Sequence, residues 1–408
     1  MISCDLRGSY TTRSQKSEVQ CRPRNPRLVP VLQGAASASK RRGGILILSH
    51  LRLDHHLLLL NGLTCLSRCR VASLKQLARY STAAATAERP YVFHIGAAWH
   101  AKPDDPHHRR PPPKTVPFAA DSPIGKWRDE MLNWPKFMHN TQSAGEDFFC
   151  VQPMKCDSVD GVGGWADSGV DPALFAQAMM YHSARYSRAA WAGEPEIDPT
   201  LDYEEREEVE GWELTPYECM DLAYGGVLRE RGVLGGASTA CILTLNASSG
   251  LLRSANLGDS GYAVVRSKNV IYHQEPQTHY FNCPLQLTKV PVGDRQFSGV
   301  CVDSPRHADT HSMKLRDGDL VVLYTDGFGD NIFLRDMANI LLLTAKNDIP
   351  DELMPQYMAE RLVERATQVM YSGRLTPFQR EAARYGQNLP GGKIDDCTVL
   401  VALVRETS

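Results

Sequence analysis

The stretch LVVLYTDG, residues 320–327, is an unbroken apolar run that ends at an aspartate followed by glycine. A short apolar run bounded by polar residues is typical of a buried strand. Aspartates stand beside apolar or glycine-rich segments at three other points, Asp160, Asp259 and Asp395. Between 67 and 99 residues separate each of the four from the next along the chain, so only a folded domain could bring them together.

This set of carboxylates predicts a metal site. Hard divalent cations such as Mg²⁺ and Mn²⁺ prefer oxygen ligands, and two such ions need several carboxylates from distant strands. Asp160 is followed by Gly161-Val162-Gly163-Gly164, a sequence that allows a tight turn in which a backbone carbonyl can also face a cation. Taken alone, this turn could be an ordinary loop, and Asp259 could simply end a hairpin turn.

The charge of the chain is divided unevenly along its length. The 408 residues are 42% hydrophobic and 23% charged, which is ordinary for a globular protein. Residues 1–80 hold 14 Lys or Arg against three acidic residues, which leaves 31 basic and 44 acidic residues, a formal charge of −13, in the rest of the chain. A body this acidic does not bind nucleic acid by bulk electrostatics, which disfavours a two-metal nuclease.

The basic leader, residues 1–80, is predicted to be a mitochondrial transit peptide. Import favours a positively charged, amphipathic helix poor in acidic residues. Within residues 51–80, basic residues alternate with leucine and valine, and Arg79-Tyr80-Ser81 resembles a matrix-processing site, so maturation is expected near Ser81. A disordered basic tail is the alternative. A membrane span over Ile45–Leu60 is excluded because charged and histidine residues interrupt it.

The order of strand and helix signals predicts an α+β domain. Apolar runs over 242–245, 251–257, 261–266 and 270–273 are joined by short turn segments and predict an antiparallel meander. Two central helices are expected, one from Pro172 and one from a capping box at Thr215-Pro216-Tyr217-Glu218. A late helical block and a final strand follow. Between the central helices, residues 194–213 hold ten acidic residues and are predicted to form a solvated acidic loop.

Taken together, the motifs resemble those of the PPM family, the protein phosphatase 2C-type metal-dependent serine/threonine phosphatases. Gly-Glu-Asp (145–147), Asp-Gly-x-Gly-Gly (160–164), Gly-Asp-Ser (258–260), Thr-Asp-Gly (325–327) and Asp-Asp-x-Thr-Val (395–399) occur in the family's order. Longer matches, such as DGVGGWADSGVDP, resemble the mitochondrial branch that contains the T-cell activation protein phosphatase. The phosphatase domain is placed at residues 88–408, with the acidic loop as an insertion.

The resemblance implies a central β-sandwich of two antiparallel sheets flanked by helices on both outer faces. It also implies a centre of two Mg²⁺ or Mn²⁺ ions that activates a water for attack on phosphorus. Asp160 would bridge both ions, Gly161 would offer its carbonyl, and Asp326 and Asp395 would complete the ligands. Glu146 and Asp147 would support the centre, and Asp259 would help hold a third, weaker ion.

Two positions depart from the family pattern. Gln142 stands where many members have a phosphate-binding arginine, and Val162 where many have a proton-donating histidine. Lys102 is a candidate phosphate anchor by sequence position only. These departures keep open an alternative, a phosphatase-fold binding module without turnover.

The main hypothesis is therefore a phosphatase of the mitochondrial matrix that acts on phosphoserine and phosphothreonine. Its expected partners are phosphoprotein substrates, with metabolic enzymes and ubiquinone-biosynthesis proteins as candidates by resemblance. Neither nucleic acid nor a stable membrane span is expected.

Overall fold

Two five-stranded antiparallel sheets form the centre of the computed structural model of this chain. The structure describes residues 90–103, 111–134, 143–152, 155–192, 214–291, 293 and 299–407. The predicted transit peptide, the acidic loop at 194–213 and Gln142 lie outside these residues. The predicted α+β class, with a sandwich of antiparallel sheets and helices on its outer faces, is confirmed.

The first sheet has the order β1-β14-β13-β7-β8. Its strands are β1 (Tyr91–His100), β7 (Gly261–Arg266), β8 (Asn269–His273), β13 (Leu320–Tyr324) and β14 (Cys397–Glu406).

The second sheet has the order β12-β6-β5-β3-β2. Its strands are β2 (Phe148–Gln152), β3 (Lys155–Val159), β5 (Ala240–Leu245), β6 (Leu251–Leu257) and β12 (Asp309–Lys314). Two small two-stranded sheets pair β4 (Gly236–Ser238) with β11 (Leu287–Lys289), and β9 (Thr278–Tyr280) with β10 (Cys283–Pro284).

Strand β14 shows why the first sheet lies in the interior. Leu400, Ala402 and Val404 belong to the core that includes residues of the second sheet, whereas Val401 and Leu403 belong to the core on the opposite face. Alternate side chains of a strand point to opposite faces, so a strand buried on both faces must be apolar throughout. This is why the runs at 320–324 and 399–404 are continuously hydrophobic.

Seven helices are seen in the described parts of the chain. They are α1 (Pro123–Leu132), α2 (Pro172–Ala192), α3 (Pro216–Arg229), α4 (Asp326–Gly329), α5 (Leu334–Thr344), α6 (Met354–Met370) and α7 (Pro377–Arg384). Helices α2 and α3 cover the second sheet, whereas α6 packs on β1 and β14. None of the described helices has the length and apolar character needed to cross a membrane.

The start of α3 confirms the predicted capping box. The Thr215 side chain accepts a hydrogen bond from the Glu218 backbone N–H, and the Glu218 side chain accepts one from the Thr215 backbone N–H. Both bonds satisfy donors that the first turn of a helix leaves unpaired.

The predicted meander is wrong at one point. Strands β5 and β6 pair in the second sheet, but β7 and β8 pair in the first, so the chain crosses between sheets at Gly258-Asp259-Ser260. Gly258 takes a φ of +103°, and the buried Ser260 hydroxyl bonds the Thr239 hydroxyl at 2.7 Å. The hairpin-turn interpretation of Asp259 is therefore wrong.

Candidate metal centre

The predicted aspartates lie at strand ends that meet at one end of the sandwich. Asp160 follows β3 and Asp259 lies just beyond β6, both in the second sheet, whereas Asp326 lies just beyond β13 in the first. Each of the three offers one carboxylate oxygen, and these oxygens all lie within 4.8 Å of one another. The structure thus brings together three side chains separated by up to 166 residues along the sequence.

Asp395 is linked to this cluster by Lys393, which contacts both Asp395 and Asp326 and which the sequence did not predict. Lys393 Nζ contacts Asp326, lies 2.9 Å from Asp330 Oδ2 and lies 3.2 Å from Asp395 Oδ2. Burial lowers the pKa of Lys393, but its carboxylate neighbours, Asp326 foremost, outweigh burial and raise the pKa well above its usual range. Lys393 is therefore a fixed positive charge inside the acidic cluster.

Lys102 lies on the other side of Asp395. Its Nζ is 2.8 Å from Glu146 Oε2, 3.0 Å from Asp395 Oδ1 and 3.5 Å from Asp396 Oδ2. Burial raises the pKa of Asp395, but Lys393 and Lys102 outweigh it and hold that pKa below its usual range. Asp395 is thus held in its ionised form between two ammonium groups.

Two further acids are buried beneath the cluster. Asp147 is fully buried and accepts a hydrogen bond from the Thr325 hydroxyl at 2.8 Å. Asp396 accepts backbone N–H bonds from Lys102 at 2.8 Å and Glu146 at 2.9 Å. Asp396 therefore fixes the backbone that carries Lys102 and Glu146.

Close backbone packing explains two of the glycines. A Cβ on Gly161 would lie 2.4 Å from the Glu146 carbonyl oxygen, and one on Gly327 would lie 1.9 Å from the Asp396 carbonyl oxygen. Real Cβ atoms do not approach backbone this closely, so any other residue would push these segments apart. The glycines of the Asp-Gly pairs thus permit the convergence of the strand ends.

Burial and mutual repulsion oppose ionisation of the three clustered aspartates. Burial, followed by the charge of Asp326, raises the pKa of Asp160 well above its usual range. Burial likewise raises the pKa of Asp326, although Lys393 partly offsets it. Burial raises the pKa of Asp259 to about 7. Such a cluster favours a positive charge from outside the chain.

The donor atoms fit a divalent cation. Within the described residues, Asp259 Oδ1 and Asp326 Oδ1 are buried and have no hydrogen-bond partner. Buried carboxylate oxygens are normally satisfied, and an unsatisfied group needs an explanation such as an ion. Carboxylate oxygens are also the ligands that Mg²⁺ and Mn²⁺ prefer.

The structure shows where Val162 and Lys102, two residues singled out from the sequence, lie relative to the site. Val162 packs against the apolar cluster of Trp165, Val170 and Ala237, so it lies in a hydrophobic patch beside the turn. Lys102, a candidate only by its place in the sequence, lies inside the site. No sequence signal marks Lys393, because a lysine two residues before an aspartate is common in loops.

Comparison with known proteins gives close relatives. No protein-family profile matches the chain. The chain is 34% identical over 251 residues to the protein phosphatase PTC7 homolog fig of Drosophila willistoni, covering 60% of this chain and 71% of that protein. It is also 34% identical over 253 residues to the human protein phosphatase PTC7 homolog, covering 60% and 74%.

A solved structure with a similar fold is the photosystem II phosphatase PBCP. Its TM-score is 0.50 at 24% identity, and the match covers 76% of this chain and 98% of that one. This likeness supports the fold, while the PTC7 relatives carry the family assignment. The chain belongs to the PTC7 family of protein phosphatases, as its resemblance to the PPM phosphatases predicted.

Proposed function

We propose that this protein phosphatase hydrolyses phosphoserine and phosphothreonine on mitochondrial proteins, with two Mg²⁺ or Mn²⁺ ions as cofactors. The observation that carries the metal requirement is the Asp160, Asp259 and Asp326 cluster, whose carboxylate oxygens lie within 4.8 Å of one another. Divalent cations supply a nucleophilic water at neutral pH and stabilise the phosphoryl oxygens.

The ligands proposed for these ions are the Asp160, Asp326 and Asp395 carboxylates with the Gly161 carbonyl. The crossing at Asp259 adds a carboxylate from the second sheet, which would serve a third ion. Glu146 and Asp147 take supporting positions, since Glu146 bonds Lys102 and Asp147 bonds Thr325.

The two lysines have a distinct task in this proposal. Lys102 and Lys393 neutralise part of the charge of the acidic cluster, and they hold Asp395 ionised. Lys102 is 26% exposed and is proposed as the group that meets the substrate phosphate. A lysine ammonium binds phosphate as a point charge, whereas an arginine guanidinium binds it with two parallel hydrogen bonds.

Activity against phosphopeptides tests this function. The full-length chain with added Mn²⁺ is expected to release phosphate from a phosphothreonine peptide, and Asp160→Asn and Asp326→Asn are expected to reduce the rate at least 100-fold. Both substitutions keep the side-chain shape, so circular dichroism spectra should not change. Wild-type rates in both variants would show that these aspartates hold no catalytic ion.

The mitochondrial location rests on the leader sequence and has its own test. Residues 1–90 joined to a fluorescent protein are expected to direct it to the matrix, with cleavage near Ser81. The matched control replaces Arg68, Arg70, Lys75 and Arg79 by glutamine, which removes the positive charge that import favours. A fusion that stays in the cytosol would contradict the location and leave the phosphatase activity untouched.

A further inference from the structure

A row of aromatic side chains begins beside the acidic cluster. The Phe378 ring centroid lies 5.5 Å from Lys393 Nζ, and Lys393 itself contacts Asp326. The Phe378 backbone N–H also donates to the Asp330 carbonyl oxygen at 3.0 Å. The first turn of α7 is therefore fixed directly to the segment that follows Asp326.

The row continues away from the cluster through two more rings. Phe281 lies 5.2 Å from Phe378 and 5.6 Å from Tyr385, measured between ring centroids. Phe378 lies in the first turn of α7, and Tyr385 directly follows its last residue. They are seven residues apart, about two helical turns, so they lie on the same side of this segment. We call Phe281, Phe378 and Tyr385 the aromatic wall.

A tight turn presents Phe281 to α7. Phe281 and Asn282 join β9 to β10, and Asn282 takes a φ of +54°, a conformation that asparagine tolerates better than most residues. The wall is thus built from a hairpin and a helix that are distant in sequence.

The wall and the acidic cluster line the same cleft. This cleft has a volume of about 350 Å³, and its lining includes Asp259 and Asp326 together with all three rings of the wall. Tyr385 is 53% exposed, and Phe281 and Phe378 are half-buried. An apolar group that covers this exposed aromatic surface is removed from water together with it, which favours binding.

We propose that the aromatic wall is a specificity site of the phosphatase, which receives an apolar side chain of the substrate polypeptide beside the phosphorylated residue. The proposal rests on the proposed function, because it places the phosphorylated residue at the acidic cluster. An extended chain advances about 3.3–3.6 Å per residue. The wall begins beside Lys393, so it accepts a leucine or phenylalanine within about three residues of the phosphothreonine.

Matched phosphopeptides test the wall. One peptide carries leucine at the two positions after the phosphothreonine, a second carries leucine at the two positions before it, and a third carries serine at all four. The full-length wild-type chain with Mn²⁺ is expected to show at least fivefold higher kcat/KM for one leucine peptide than for the serine peptide, mainly through KM.

Substitutions in the wall should remove this preference. In Tyr385→Ala and in Phe281→Ala, the ratio of kcat/KM between the leucine and serine peptides is expected to fall to about 1. The control is Tyr371→Ala, which removes a tyrosine of similar exposure, 57%, that lies outside the cleft lining and should leave the ratio unchanged. Thermal unfolding of each variant checks that it folds.

The outcomes separate this inference from the proposed function. Phosphate release from N-acetyl phosphothreonine amide and from all three peptides at equal kcat/KM would overturn the wall and keep the phosphatase. A leucine preference that persists in both wall variants would also overturn it. Failure of the wild-type chain on every phosphoester would reject the proposed function, and the wall with it.

Discussion

The Thr325 hydroxyl donates a hydrogen bond to the Asp147 carboxylate at 2.8 Å, across 178 residues of sequence. Thr325 lies between β13 of the first sheet and Asp326, and Asp147 directly precedes β2 of the second sheet. The same hydroxyl accepts the backbone N–H of Thr398 at 3.0 Å. One buried side chain therefore links three segments that carry the acidic cluster.

Thr325→Val is expected to destabilise the protein by about 1–3 kcal/mol, because it leaves a buried carboxylate and a buried N–H without this partner. Urea denaturation followed by tryptophan fluorescence measures the loss. Thr325→Ser keeps the hydroxyl and should recover most of the stability. Equal stability of the valine and serine variants would mean that the hydrogen bonds contribute nothing.

Gly161→Ala is expected to reduce phosphatase activity at least tenfold, because its Cβ would lie 2.4 Å from the Glu146 carbonyl oxygen and must displace it. Gly164→Ala is the matched control. A Cβ there meets no atom within 4 Å, so the activity should not change. Steady-state rates of the two variants are compared on one phosphopeptide. Similar rates for Gly161→Ala and Gly164→Ala would contradict the close packing at Gly161.

Lys393→Met is expected to lower the unfolding free energy in EDTA by about 3–5 kcal/mol, because it leaves several buried carboxylates without their counter-charge. Mn²⁺ should then raise the melting temperature more than it does in the wild type, because the ion replaces the lost charge. The exposed Lys346→Met is the control, with no expected change. A Lys393→Met variant as stable as the wild type in EDTA would refute the pairing.

His182 makes stability depend on pH. Its ring is buried between α2 and α3, and burial lowers its pKa to about 4, against about 6.5 when unfolded. Glu230 raises this pKa, whereas Arg185 and Arg229 lower it. Between pH 6.5 and 4, His182 therefore binds a proton in the unfolded chain but stays neutral in the folded protein. The unfolding free energy falls as the pH falls through this window.

The contribution of His182 reaches about 3 kcal/mol at pH 4. Other groups titrate in the same range, so the relevant quantity is the difference in unfolding free energy between wild type and His182→Leu. This difference should be constant above pH 7 and change steadily below pH 6.5, in favour of the leucine variant. A difference that stays constant down to pH 4.5 would contradict the lowered pKa.

Sequence reasoning located the elements whose signal lies in local pattern. The run at 320–324 is apolar throughout because both faces of β13 are buried, and the α3 capping box is a local motif. Strand β12 gave no such signal, since its residues are mostly exposed at the sheet edge. The split of β6 and β7 between sheets is set by tertiary packing, which no turn sequence reveals.

The candidate site was predictable where an aspartate, which a metal ion favours as a ligand, stands directly before a glycine. Asp160 and Asp326 stand before glycines that close packing requires, so the Asp-Gly pairs carry the signal. Lys393 has no such mark, because its role depends on which acids the fold brings near it. The aromatic wall was missed for the same reason, since Phe281 and Phe378 meet only in the folded chain.

The ten-residue pairing of β14 with β1 has a consequence for how the domain forms. Tyr91 pairs with Glu406 and His100 with Cys397, so the first and last strands of the domain are neighbours. During synthesis, neither β14, which lies between β1 and β13 in the first sheet, nor Asp395 is available until the last part of this domain has been made. Contacts between such distant segments make folding slow. We therefore expect the part of the site that includes Asp395 to be completed only after this domain has been translated.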